Sequence, residues 1–141
     1  MQEKQIEKGA LLLQWKGKSQ TVQIKEVTPL GVKFDYYVVG QFAGIFNANG
    51  SHTNNIFSKY DGTMDWESKG VMTTTDADII LLLSRGTGKD VPNSRGNVTA
   101  EGEGVFVTPS PRFSWLNNKK CRLEIAGSSL TGEEQAKIIA L

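Results

Sequence analysis

Chemistry in this chain has few residues to work with. His52 is the only histidine, so any histidine-centred triad has to use it. It stands at a strand start beside Asn49-Gly50 and Asn54, and no Gly-x-Ser-x-Gly elbow marks a nucleophile. His52 therefore reads as an exposed turn histidine, with an acid or base at a pocket rim as the functional alternative. Cys121, the only cysteine, alternates with Leu123 and Ile125 and reads as a buried, inert thiol. One His and one Cys leave a structural zinc site without ligands. Asp76-Ala77-Asp78 resembles the opening of a calcium loop but lacks the later ligands, so these aspartates read as turn formers. Gly86-Thr87-Gly88-Lys89 lacks both the leading glycine and the following helix of a phosphate loop. Neither a metal nor a cofactor is expected.

A carboxylate and an aromatic set remain. If the strand through Val22 and Ile24 is regular, Glu26 points inward with them. Burial in an apolar barrel would then raise its pKa and suit it to acid–base work. A bulge near Glu26 would instead turn Val27 inward and leave Glu26 outside. Tyr36, Phe42, Trp66 and Phe106 share strand faces with Gly40, Gly44, Ser68, Gly70 and Gly104. Large residues beside small ones either interlock into a dry core or line a cavity of ligand size. Tyr36 and Trp66 each carry a polar atom that needs a partner when buried, which favours a site. The candidate ligand-binding residues are Tyr36, Phe42, Trp66, Phe106 and Glu26.

The elements that must position them are strands. From Thr63 to Arg85 the chain first alternates, with Met64, Trp66, Ser68, Gly70 and Met72 on one side. It then turns at Thr74–Ala77 and becomes apolar on both sides over Ile79–Leu83. Val32–Phe46, Ser51–Tyr60 and Val98–Thr108 also alternate, and Thr28-Pro29-Leu30-Gly31, Asn49-Gly50 and Asp61-Gly62 supply turns. Gly9–Trp15 is a strand with a helix as the alternative, followed by a turn at Gly17-Lys18 and a strand over Ser19–Thr28. Gly86–Gly96 reads as a loop. Phe113–Leu116, Lys120–Ala126 and Glu134–Leu141 read as short final strands. Residues 1–8 read as a frayed start or one helical turn.

The fold class is all-β: one domain over residues 1–141, a single antiparallel up-and-down barrel of about eight to nine strands. A β-sandwich is the alternative. Glycines on the inward faces of three long strands favour the barrel, because tight curvature needs them.

With 16 basic and 15 acidic residues and a net charge of +1, the chain has no electrostatic footprint for nucleic acid or an anionic membrane. The N-terminal apolar run is too short for a membrane span or signal core. A lone cysteine favours a reducing compartment, and the expected location is cytoplasmic. A barrel has only one inside, so the outward members of Ile79–Leu83 need cover from a loop, from the Leu11–Trp15 segment or from another subunit. A homo-oligomer, dimer or trimer, is expected through this strand.

Two stretches carry a resemblance. Gly70-Val71-Met72-Thr73-Thr74-Thr75-Asp76, followed by an apolar strand, resembles the G-V-x-T-T-x-D-G hairpin of a family of small uncharacterised archaeal and bacterial proteins. Phe106-Val107-Thr108, Ser110-Pro111 and Leu116-Asn117-Asn118 match a second segment of that family. These proteins resemble the allene oxide cyclase and dirigent barrels, themselves similar to calycins: eight antiparallel strands around a cavity. Ala77 stands where that pattern has glycine, and Gly88–Ser94 also departs from it. The resemblance implies a fold. No catalytic residue of the cyclases or coupling guides matches here, so it implies no chemistry.

The expected function is a small barrel that binds a small apolar or amphipathic ligand between Trp66, Tyr36 and Phe42, with isomerase or cyclase activity. The competing expectation is a non-catalytic oligomeric binding or scaffold protein with a filled barrel.

Overall fold

The computed structural model describes residues 6–141. Eight strands follow one another in order: β1 (Leu11–Val27), β2 (Gly31–Gly44), β3 (Ala48–Lys59), β4 (Thr63–Thr74), β5 (Ile79–Asp90), β6 (Asn97–Val107), β7 (Lys120–Ser128) and β8 (Glu133–Ala140). Each pairs antiparallel with the next, and β1 also pairs with β8, so the sheet closes on itself as a barrel. That closure excludes the sandwich. Among the described residues no helix is long and apolar enough to cross a membrane.

Several boundaries differ from the sequence expectation, each for a local reason. The segment before Trp15 is strand as expected, starting at Leu11, but β1 runs straight through Gly17-Lys18 in place of the expected turn. Gly17 is no turn residue: it pairs with Gly40 on one side and Glu134 on the other. A side chain there would meet the Trp15 indole at 2.5 Å, so its glycine seats a ring. The expected loop from Gly86 shrinks to residues 91–96, because Gly86 and Gly88 continue β5 against Gly102 and Ala100 of β6. Phe113–Leu116 lies in a 3-10 turn (Pro111–Leu116) instead of a strand. The barrel has eight strands, within the expected eight to nine. The expectation for residues 1–8 falls mostly on residues 1–5, outside the described residues; 6–8 form no helix.

One end of the barrel is a packed floor. Leu13, Met72, Ile80, Phe106, Leu116 and Cys121 are fully buried there. Phe113 from the 3-10 turn packs edge-on against Phe46, with ring centroids 5.3 Å apart. Polar groups pin this end. Thr74 donates from its hydroxyl to Asp78, Ser110 donates to the same carboxyl group, and Arg112 bridges Asp76 and Asp78. Asn117 accepts from the Thr108 amide at 2.7 Å and donates to its carbonyl at 2.9 Å. The two stretches that carry the family resemblance therefore meet in space, and their shared work is closing the floor.

At the opposite end the turns 28–30, 60–62, 91–96 and 129–132 are linked by backbone hydrogen bonds, Tyr60 to Leu30, Asp90 to Gly62 and Ser129 to Gly96. Closure is incomplete here. β8 reaches only as far as Lys18 of β1, and the Ser19 amide makes the last bond, to Gly132. Residues 20–27 pair with β2 alone and are all exposed. The upper barrel wall is therefore split between β1 and the β7–β8 turn.

Candidate functional site

The alternation of each strand decides what faces the lumen. On β3, His52, Asn54, Ile56 and Ser58 point in; on β4, Met64, Trp66, Ser68 and Gly70; on β2, Phe34, Tyr36, Val38 and Phe42; on β8, Glu134, Ala136 and Ile138. Above the floor they enclose a cavity of about 520 Å³, within the range of roughly 300–1,000 Å³ typical of small-molecule sites. Its lining continues to Gln20–Val22 and to Ser128–Gly132, the two sides of the split wall.

Glycines keep the lumen open by laying large rings flat against the wall. A Cβ on Gly50 would strike the Phe42 ring at 2.5 Å and the Trp15 ring at 3.1 Å, and one on Gly102 would strike Trp66 at 2.6 Å. Trp66 is fixed by its Nε1–H, which donates to the Thr87 carbonyl at 3.1 Å. Trp15 packs on Phe42 with centroids 4.4 Å apart and meets His52 edge-on at 5.3 Å.

One wall carries a connected polar group. Glu134 sits in register between Gly17 of β1 and Gly127 of β7, neither of which places a side chain beside it. Its Oε1 accepts from Trp15 Nε1 at 3.0 Å and from His52 Nε2. His52 Nδ1 then faces the Ser68 hydroxyl at 3.0 Å and Asn54 Oδ1 at 3.2 Å. A neutral ring with its proton on Nε2 accepts from Ser68; an imidazolium donates from Nδ1 to Asn54 and Ser68. Ser68, which can donate or accept, suits either form, whereas Asn54 Oδ1 suits only a ring that carries a proton on Nδ1. Tyr36, paired with Asn54 across the sheet, has its phenol pKa pushed above the ordinary value, first by burial and then by the negative charge of Glu134. It stands in the cavity as a neutral O–H.

Of the residues expected from sequence, Tyr36, Phe42 and Trp66 line this cavity together. Two do not. Phe106 is wholly buried in the floor packing and does not line the cavity, because it lies toward the floor end of β6, beyond Gly104. Glu26 lies outside: the register slips between Ile24 and Glu26, and its carboxylate pairs with Lys33 at 3.6 Å with the side chain 59% exposed. The bulge, not the regular strand, is what β1 adopts. His52 is no exposed turn residue, since its side chain is only 14% exposed. Glu134, Ser68 and Asn54 complete the site. The signal for Glu134 was parity: Ala136 and Ile138 mark the inward face of β8, and Glu134 shares it. Likewise Ile56 sets the parity that brings His52 and Asn54 inside.

A second, open depression of about 890 Å³ lies on the outer wall. Its charges alternate across the strands as Glu67, Arg85, Glu103 and Arg122. Exposed charges of alternating sign are a solvated surface, and no reactive group converges on it. Among the described residues no group of three His, Cys, Asp or Glu side chains converges as a metal site.

No protein-family model matches the sequence, and no curated protein matches it. Solved structures do match in fold. A protein of unknown function from Clostridium acetobutylicum ATCC 824 superposes with a TM-score of 0.79 at 13% identity, over 93% of this chain and 96% of that one. A beta-barrel like protein from Acinetobacter baumannii AYE gives 0.71 at 18% identity, over 94% of each chain. An enzyme from Penicillium herquei gives 0.61 at 17% identity, over 98% of this chain and 99% of that one. At these identities the likeness is one of fold alone: the chain is a small closed barrel of a kind that recurs among uncharacterised bacterial proteins and in at least one fungal enzyme.

Proposed function

We propose that this protein binds a small amphipathic molecule in the barrel lumen and catalyses an isomerisation or cyclisation of it by acid–base chemistry. The observation that carries this reading is the placement of Glu134, His52 and Tyr36 on one wall of an otherwise largely apolar cavity of about 520 Å³. The carboxylate–imidazole pair takes a proton from the ligand, and the neutral Tyr36 phenol donates a hydrogen bond or a proton where charge develops. Such a reaction moves protons without net gain or loss and needs no cofactor. Rings held against the wall shape the ligand, and exclusion of water strengthens the polar contacts. The fold likeness to an enzyme is compatible with this reading.

A general probe of a base in an apolar cavity is 5-nitrobenzisoxazole, whose ring opens once a base removes its C–H proton. The expected result is saturable acceleration that Glu134→Gln and His52→Ala each reduce by about 10²-fold or more. Acceleration no greater than that of buffer, or unchanged in Glu134→Gln, contradicts the acid–base part of the reading.

A second reading concerns association. On the outer face, Val71, Leu81 and Val107 form one cross-strand row and Leu83 pairs with Val105 beside it. Ile79 and Leu83 remain 47% and 43% exposed, covered by no described segment of the chain. We propose that a second copy of the chain covers this face, as its apolar contiguity over three strands favours.

A further inference from the structure

The charge of the cavity narrows the class of ligand. Among the described residues no lysine or arginine lines it, whereas Glu134 lies in the polar wall and Glu133 and Asp90 stand among the lining residues toward its open end. His52, the one basic side chain among the described lining residues, is already engaged by Glu134. A carboxylate or phosphate entering this space would meet the half-buried Glu134 carboxylate, where repulsion is less screened than at the exposed Asp90 and Glu133.

The unsatisfied polar atoms say what would be accepted. Among the described residues both side-chain hydrogen bonds to the Glu134 carboxylate fall on Oε1, so Oε2 can still accept from a ligand donor. The Ser19 hydroxyl is buried and lacks a partner among the described residues, and Ser19 lines the same cavity. A buried hydroxyl without a partner is costly, so a ligand group that bonds to it is stabilising. Elsewhere in the lining, Leu82, Ala100, Leu123 and Ile125 offer only carbon.

We infer that the ligand is a non-anionic amphiphile whose polar head donates a hydrogen bond, an alcohol or an amine, on an apolar body. The head lies at Ser19 and Glu134 and the body against Leu82, Leu123 and Ile125. Anionic analogues of the same body are excluded by charge. This inference rests on the cavity reading above and adds the class of ligand to it.

Displacement of the neutral fluorescent probe N-phenyl-1-naphthylamine by decan-1-ol, decylamine and decanoate at neutral pH tests it. The alcohol and the amine should displace the probe, and decanoate should be at least about tenfold weaker than the alcohol, a penalty of about 1.4 kcal/mol. Glu134→Gln should narrow the gap between decanoate and the alcohol by removing one negative charge at the head position. Decanoate that competes as well as the alcohol, or a gap unchanged in Glu134→Gln, overturns the inference while leaving cavity binding intact. Failure of all three to displace a probe that does bind also overturns it. A probe that does not bind at all overturns the cavity reading and this inference together.

Discussion

At the scale of single residues, the site is made by environment more than by residue type. Tyr36 is one of three tyrosines, yet burial and the nearby Glu134 charge favour its neutral form. A phenol whose folded-state pKa is raised stabilises the fold below the unfolded value of about 10, and this contribution fades as pH rises toward the folded value. A spectrophotometric titration should contain a tyrosine ionisation displaced to the alkaline side, and Tyr36→Phe should remove that component. Cys121 is buried between Gly104 and Ala140, and burial pushes its thiol up to about 12. It should resist alkylation at pH 8 in the native protein and react once the barrel is unfolded. Both residues were legible in the sequence because each shares a strand face with apolar neighbours. Glu26 and Glu134 show where that parity misleads. Glu26 has the right parity on paper and loses it to a bulge. Glu134 keeps its parity, but only the closed register brings Trp15 and His52 to its carboxylate.

At the scale of elements, the turn after β4 is under strain that its sequence announces. Ala77 adopts φ 66°, a left-handed conformation that costs a residue with a Cβ roughly 1–2 kcal/mol. Ala77→Gly relieves this and concedes about 0.4–1 kcal/mol of unfolded-chain entropy. The expected net gain is about 0.5–1 kcal/mol in a denaturant titration. The same turn bears the Asp78 carboxyl group, whose pKa is held down by the Ser110 hydrogen bond and by Arg112. A depressed folded-state value contributes stability above the unfolded value of about 3.9 and loses it as pH falls further. Between pH 4 and pH 2, Asp78→Asn should therefore show a shallower loss of stability than the wild type. An unchanged slope would contradict the role of this contact. Strand existence was readable from alternation and turn chemistry. Strand ends were not: Gly17, Gly86 and Gly88 carry the composition of turns and act as strand residues, since what they accommodate is a ring or a neighbouring strand.

At the scale of the whole molecule, one closed end and one split end divide the work. The floor concentrates the apolar burial and the polar clasp of Thr74, Asp78, Ser110 and Arg112. The split upper wall concentrates the openings, with Gln20–Val22 facing Ser128–Gly132 across the cavity lining. Closure of the barrel was argued from glycines on inward faces, and the eight-strand ring has that form. Whether the lumen is filled could not be read from sequence, because the same large and small residues serve both outcomes until the register is known. The register sets Trp15 over Gly17 and Gly50 and Trp66 over Gly102, and the space remains. On the outside, the exposed row at Ile79, Leu81 and Leu83 predicts a concentration-dependent oligomer. Sedimentation should show a species larger than the monomer at micromolar concentration, and Leu83→Glu should shift it to monomer. A wild-type monomer would contradict the association.

A direct titration with N-phenyl-1-naphthylamine tests whether the lumen is a binding site. Ala100 lines the cavity away from the polar wall, so Ala100→Trp fills the space without touching Glu134, His52 or Tyr36. The wild type should bind the probe saturably at one site per chain, and Ala100→Trp, folded by circular dichroism, should bind at least about tenfold more weakly, a difference of about 1.4 kcal/mol. No saturable binding by the wild type, or equal binding by the folded variant, would contradict the account.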